Sequence, residues 1–187
     1  MSKLIPQYRS VDYAETTITE LMIPAYANFG GKIHGGIILS LMDKAAYTCS
    51  AKHAGGYCVT VSINATEFLS PVEVGDLVHI KATVNYVGSS SIVVGIKVTS
   101  EDITTGEIKH TNSSYFTMVA IDEDRKARKV PGLILESKED VRRFLEAMKR
   151  KELLDQYKAE WNDTTSSIKV EQEIARLDNQ NCMVIDL

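Results

Sequence analysis

The stretch N-F-G-G-K-I-H-G-G-I-I-L-S-L-M-D, Asn28 to Asp43, decides how the rest of the chain is read. It opens with an amide, passes four glycines and a histidine, and becomes an apolar run that ends on a carboxylate. The apolar part, Ile37-Ile38-Leu39-Ser40-Leu41-Met42, resumes after the acid as Ala45-Ala46-Tyr47. It is too short to cross a membrane. It is also apolar around nearly its whole circumference, which predicts a helix buried inside the protein over roughly 36–51. Asp43 conflicts with such surroundings. An unpaired carboxylate inside a buried helix costs several kcal/mol or takes up a proton, so its position asks for a chemical reason.

Downstream, the periodicity changes. His53-Ala54-Gly55-Gly56 is the expected exit from the helix, glycine being the common way out. From Tyr57, Val59, Val61 and Ile63 alternate with Thr60, Ser62 and Asn64, which predicts a strand with one buried face. A turn at 70–76 precedes three further β runs, Leu77 to Tyr86, Ser91 to Ser100 and Lys109 to Ile121, separated by turn-rich segments at 87–90 and 102–106. Upstream, 16–22 is a short β-like stretch. One helix followed by long hairpin-connected strands predicts an α+β fold, an antiparallel sheet wrapped around a central helix.

Past Asp122 the composition shifts. Residues 124–129 are basic, Pro131-Gly132 breaks the chain, and Ser137 with Asp140 resembles a capping box. Val141, Phe144, Leu145, Met148, Leu154, Tyr157 and Trp161 then form an amphipathic helix. The expected organisation is one domain over 1–131, followed by a C-terminal helical extension and partly mobile tail over 132–187.

Composition narrows the function. The 187 residues are 44% hydrophobic and 25% charged, as in a soluble globular protein. A formal net charge of -4 argues against non-specific nucleic-acid binding, which depends on neutralising phosphates. No apolar run reaches membrane-spanning length and no signal peptide opens the chain, so a cytoplasmic protein is expected. Cys49, Cys58 and Cys182 are odd in number and, like His34, His53, His79 and His110, have no metal-ligand spacing. No metal is expected.

Gly35-Gly36 lies where a helix leaves backbone N–H groups without intrahelical partners. Lacking Cβ atoms, these residues let a ligand approach, and a helix N-terminus favours a developing negative oxygen. That is the chemistry of an oxyanion site. Asp43, about two turns on, shares a face with Gly36, Leu39, Ser40 and Tyr47 at helical spacing and has the chemistry of a general base or a nucleophile. Asn28 can orient a water or a carbonyl with its amide. A structural reading stands beside this one: glycines before helices are commonly packing residues, and a serine or an arginine can satisfy a helical aspartate.

Asn28-x-x-Gly31-x-x-His34-Gly35-Gly36, with Asp43 seven residues after Gly36, resembles the active-site signature of hotdog-fold acyl-CoA thioesterases. V-T-V-S-I-N-A-T-E-F-L-S-P-V-E-V-G-D-L-V, 59–78, is similar to the strand, turn and strand that follow the central helix in the broad-range cytosolic acyl-CoA hydrolases, and segments 87–91 and 116–122 also resemble their counterparts there. The resemblance covers about 16–131. It implies a hotdog fold and hydrolysis of acyl-CoA to a carboxylic acid and coenzyme A, with no cofactor beyond the coenzyme in the substrate. Asp43 would be the catalytic carboxylate. The N–H of Gly36, joined by that of Gly35, would polarise the thioester carbonyl, and Asn28 would hold the water or the carbonyl. His34 would brace Asn28 and its loop, and Thr60 and Ser62 would lie on the strand facing the site, although a half-buried strand also explains them. Gly88, Ser89 and Ser90 could approach coenzyme A, yet a hairpin turn needs the same residues. Arg128 and Lys129 could meet its phosphates, or form a solvated basic patch. The family builds its sites at a dimer interface, so a homodimer at minimum is expected, with a hexamer (a trimer of dimers) as the larger form. A hotdog-fold hydratase or dehydratase, or a non-catalytic acyl-CoA-binding module, is the alternative.

Overall fold

The computed structural model describes residues 7–178 and 180–185. In chain order the elements are β1 (Tyr8–Ser10), a single turn α1 (Val11–Ala14), β2 (Thr16–Leu21), α2 (Gly35–Ala54), β3 (Cys58–Phe68), β4 (Leu77–Val87), β5 (Ser91–Glu101), β6 (Ile108–Ala120), β7 (Gly132–Ile134), α3 (Lys138–Ser167) and a short α4 (Val170–Glu173). Strands β2-β4-β5-β6-β3 form one antiparallel sheet in that order, and β1 and β7 pair in parallel beside it. No helix among the described residues is long and apolar enough to cross a membrane.

Period-two alternation puts Val78, Ile80, Ala82 and Val84 of β4, Ile92, Val94, Ile96 and Val98 of β5, and Phe116, Met118 and Ala120 of β6 on one buried face. That inner face packs on α2 through Ile38, Met42, Ala45, Ala46 and Cys49. Ala45, Ala46 and Cys49 are small, so the helix backbone approaches the sheet closely without leaving voids. Burial pushes the Cys49 thiol up to about 12, which makes it a packing residue and not a nucleophile. This is the sheet-on-helix arrangement expected above.

The helix itself departs from expectation. It is not buried all round: Gly36, Ser40, Lys44, Tyr47 and Thr48 are exposed, and Asp43 is half-buried on the same stripe. The apolar residues flanking that stripe misled the circumference reading, because Leu39 and Ile37 are only partly covered by their own chain. Tyr47 is not a core residue, and it meets Tyr57 edge-on at 5.9 Å between centroids.

The far end of α2 is closely capped. Gly55 takes the left-handed φ of 68° that ends the helix, with its N–H on the Ala51 carbonyl at 2.9 Å. Arg9 donates to the Lys52 carbonyl, and Arg128 Nη2 to that of Ala54 at 3.1 Å. His53 is buried in the last turn, with Nε2 3.0 Å from the Pro131 carbonyl and Nδ1 without a partner. Burial, aided by the Arg9 charge, holds His53 below its ordinary 6.5, against the opposing pull of the Pro131 carbonyl. The unfolded chain therefore takes up this proton first as pH falls. The stability contributed by neutral His53 is present above pH 6.5 and is lost as pH falls from there through the depressed folded value. Denaturant unfolding at pH 7.5 and 5.5 is expected to show a larger loss for the wild type than for His53→Gln. Equal losses would remove His53 as the source.

The chain divides into two compact units, 1–147 and 148–187, and α3 runs from the first into the second. The first unit thus continues past 131. Strand β7 pairs with β1 in the register Tyr8↔Gly132, and Phe144 packs against Tyr86 at 5.0 Å between centroids. The start of α3 carries the expected capping box: the Asp140 N–H bonds Ser137 Oγ at 3.1 Å, and Asp140 Oδ2 accepts from the Ser137 N–H at 2.9 Å. In the second unit, Tyr157 stacks on Trp161 at 6.0 Å between centroids.

Candidate active site

The N-terminus of α2 is held by its own loop. Asn28 takes the Lys32 carbonyl with its N–H at 2.7 Å, and its Oδ1 accepts from the N–H groups of Gly30 at 2.8 Å and Lys32 at 3.3 Å. Gly31, at φ 77°, lets the loop reverse there. The Asn28 amide is thus oriented by its own turn. His34 braces the loop and not the Asn28 amide: its backbone N–H bonds the Tyr26 carbonyl at 2.8 Å, and its ring turns to the helix.

His34 is the N-cap of α2, and Nδ1 accepts from the Gly36 N–H at 2.8 Å. The imidazole thereby occupies the amide that the sequence reading assigns to an oxyanion. It also explains the glycine, because a Cβ at Gly36 would meet the His34 ring at 2.8–2.9 Å. At Gly35 a Cβ would meet the Phe68 ring at 3.0–3.1 Å. Phe68, at the end of β3, is 55% exposed and covers the first turn of the helix. Nothing in the sequence pattern marked Phe68, because its meeting with Gly35 is set only by how β3 lies against α2.

Asp43 has one defined partner. Thr60 Oγ1 donates to Asp43 Oδ1 at 2.6 Å, a short charge-assisted bond across the gap between α2 and β3. The hydroxyl also lies 3.4 Å from Met118 Sδ. Thr60 pairs with Met118 and so faces the helix, but the register then shifts before Ser62, which pairs with Thr117. Thr117 lies between the buried Phe116 and Met118 and points to the other face, and Ser62, opposite it, shares that face. The expectation that Ser62 faces the site is therefore corrected: the bulge at Val61 turns it away. Ile63, opposite Phe116, returns to the inner side and remains partly exposed there. The inner edge between α2 and β3 thus offers Asp43 and Thr60 at one end, Gly35, Gly36 and Phe68 at the other, and Ile63 between them.

The candidates for coenzyme contact lie together. Gly88 closes the β4–β5 turn with its N–H on the Ser91 carbonyl at 2.8 Å. The Ser89 and Ser90 carbonyls accept from Val130 at 3.1 Å and Ala120 at 3.0 Å, which sets the turn beside Arg128 and Lys129. Arg128 is engaged in capping α2, and Lys129 is exposed. A cavity of about 810 Å³ lies near this end, lined by Tyr57, Asp122, Glu123, Asp124, Arg125 and Arg128 among others. It does not include Asp43, Asn28 or Gly36, and its three carboxylates oppose an anionic ligand. Among the described residues, no group of three or more His, Cys, Asp or Glu could hold a metal ion.

Residues 30–107 match the thioesterase superfamily. The chain is 44% identical over 147 residues to the protein VdlD of Helicobacter pylori, across 77% of this chain and 84% of that one. It is 31% identical over 136 residues to YkhA of Bacillus subtilis, described as an uncharacterized acyl-CoA thioester hydrolase, across 73% and 79%. Among solved structures, an apo-hexameric acyl-CoA thioesterase matches with a TM-score of 0.80 and 34% identity over 82% of this chain and 99% of that one. The acyl-CoA hydrolase of Staphylococcus aureus, solved in complex with butyryl coenzyme A, coenzyme A and coenzyme A disulfide, matches with a TM-score of 0.77 and 27% identity over 85% and 97%. That enzyme has also been solved as Asn28Ala, Asp43Ala and Thr60Ala mutants, in its own numbering.

Proposed function

The chain belongs to the thioesterase superfamily, and from that membership we propose that it hydrolyses acyl-CoA to a carboxylic acid and coenzyme A with Asp43 as the catalytic carboxylate. It is an acyl-CoA thioester hydrolase of the hotdog fold. The observation that carries the assignment of roles is the Thr60–Asp43 hydrogen bond on the open side of α2. It fixes one carboxylate oxygen and leaves the other available to water. The same three residue types and numbers, Asn28, Asp43 and Thr60, are those replaced in the Staphylococcus aureus enzyme.

As a general base, Asp43 takes a proton from water while the water oxygen attacks the thioester carbonyl carbon. The tetrahedral oxyanion then collapses, the C–S bond breaks, and coenzyme A leaves as a thiolate that takes up a proton. As a nucleophile, Asp43 attacks the same carbon, the C–S bond breaks with release of coenzyme A, and water opens the resulting mixed anhydride. Single turnover in oxygen-labelled water tests for the second route, since attack of water on the Asp43 carbon of the anhydride moves an Asp43 oxygen into product. The Gly36 N–H is the oxyanion donor in both. For that, the carbonyl oxygen must replace His34 Nδ1 as its acceptor, so His34 keeps the amide satisfied while no substrate is bound.

The site needs a second copy. Strand β3 is a sheet edge, and Phe29, beside Asn28, is fully exposed on its loop. An open edge of this length pairs readily. We assign Asn28 and Asp43 of each site to different subunits of a dimer, with a trimer of dimers as the larger form; a relative of the same fold is hexameric. Gly88, Ser89, Ser90 and Lys129 are the proposed contacts for coenzyme A, which is the only coenzyme required, and the cytoplasm is the proposed compartment.

Release of free thiol from acyl-CoAs of graded chain length tests the reaction and the substrate range together. In that assay, Thr60→Val is expected to lower kcat by about 10–100-fold, the worth of a hydrogen bond to a charged group of roughly 1.5–3 kcal/mol. Unchanged turnover would leave the hydrogen bond without a catalytic role.

A further inference from the structure

The outer face of the sheet, turned away from α2 and Asp43, carries a second cleft. Lys81 of β4 and Lys97 of β5 are direct cross-strand partners, and both side chains are exposed. Like charges directly opposite one another destabilise a sheet pair. In the adjoining outward row Gly95 stands between Thr83 and Tyr115, leaving a gap where a side chain would rise. A Cβ at Gly95 would collide with the amide of Asn85. Asn85 sits at the register shift between Val84 and Tyr86, is only 7% exposed, and has no hydrogen-bond partner for Oδ1. The cleft around these residues is about 400 Å³, and its charged walls are Lys81, Lys97, Arg143 and Glu15. Arg143 also pairs with Glu139 at 2.9 Å, a carboxylate it shares with Arg142.

We propose that this cleft binds the phosphate of a small phosphomonoester. Lys81 and Lys97, joined by an Arg143 that also holds Glu139, face one other lining carboxylate, which favours an anion, and a phosphate set between the two lysines relieves their repulsion. The Asn85 amide supplies the second requirement. Its Nδ2 is the amide atom nearest the gap over Gly95 and can donate to a phosphate oxygen, whereas the unpartnered Oδ1 is buried away from the surface. The volume exceeds what a bare phosphate fills and falls within the range of small-molecule sites, roughly 300–1,000 Å³. The phosphomonoester is either that on the ribose of coenzyme A or that of a separate metabolite. Because the cleft and Asp43 lie on opposite sides of the sheet, a coenzyme A held here is not the one being cleaved by the same chain.

Thermal unfolding of the full chain, in inorganic phosphate against chloride at matched ionic strength, tests the proposal with wild type and Lys81→Gln/Lys97→Gln. In chloride the double variant is expected to be at least as stable as the wild type, since the like-charged pair is gone. In phosphate the wild type gains stability saturably and overtakes it, with the apparent Kd weakened by about tenfold or more in the variant. Thiol release without phosphate stays at the wild-type rate, so failure of the cleft and failure of the catalytic assignment read out separately. A parallel titration with coenzyme A identifies the source: discrimination by coenzyme A at lower concentration assigns the site to the coenzyme, and discrimination by inorganic phosphate alone assigns it to another metabolite. Equal stabilisation of both proteins by each anion, or no stabilisation of the wild type, overturns the proposal.

Discussion

Asp43→Asn is expected to reduce acyl-CoA hydrolysis by about 10²–10⁴-fold while the protein stays folded. The amide keeps the shape of the side chain, and its oxygen can still accept from Thr60, whose hydroxyl now lies 2.6 Å from Asp43 Oδ1. The half-buried position on the open side of α2 means that removing the charge leaves no buried partner unpaired. What disappears is the carboxylate assigned to take a proton from water or to attack the acyl carbon. The loss should fall on kcat, with KM nearly unchanged, because ground-state binding does not depend on this charge. Turnover near that of the wild type in a folded Asp43→Asn protein would refute the assigned role. Comparison with Thr60→Val separates the carboxylate from its positioning, since the second variant keeps the charge and loses only its orientation.

Mixing Asn28→Ala and Asp43→Asn chains, each inactive by itself, is expected to restore activity. If each site takes Asn28 from one subunit and Asp43 from its partner, a mixed dimer holds one intact site and one doubly altered site. Random pairing of equal amounts makes half the dimers mixed, so about a quarter of all sites recover. The fold supports this geometry. The Asn28 Oδ1 is satisfied within its own loop and not by Asp43, Phe29 projects beside it into solvent, and β3 ends the sheet with Val61, Ile63 and Phe68 uncovered. The exchange needs conditions that let subunits reassort, and native mass measurement of the mixture establishes that they have. Mixed dimers with no more activity than the parents would show that both residues serve the same subunit's site.

Much of this molecule was legible in the sequence because its signals are local. The change from an apolar helix to period-two strands after Tyr57 marks the helix and the sheet, since side-chain periodicity follows from backbone geometry alone. The motif from Asn28 to Asp43 carries the family, because glycines, an amide and an acid at those intervals are set along one stretch of chain. Ser137 and Asp140 show their reciprocal cap directly, three residues apart.

The tertiary structure decided whatever depends on two distant segments meeting. Thr60 bonds Asp43 but Ser62 turns away, since the bulge between them reverses the side on which alternate residues point, and strand alternation cannot reveal a bulge. The Gly36 amide is taken by His34, and Gly35 lies under Phe68, which comes from another element. Lys81 and Lys97, sixteen positions apart, become opposite neighbours only through the β4–β5 register. The apolar run of α2 said that the helix would be covered, but not by what. Its own sheet buries one side, and the stripe through Gly36, Ser40, Asp43 and Tyr47 stays open, because composition measures how much surface must leave water and only packing determines which surface covers it.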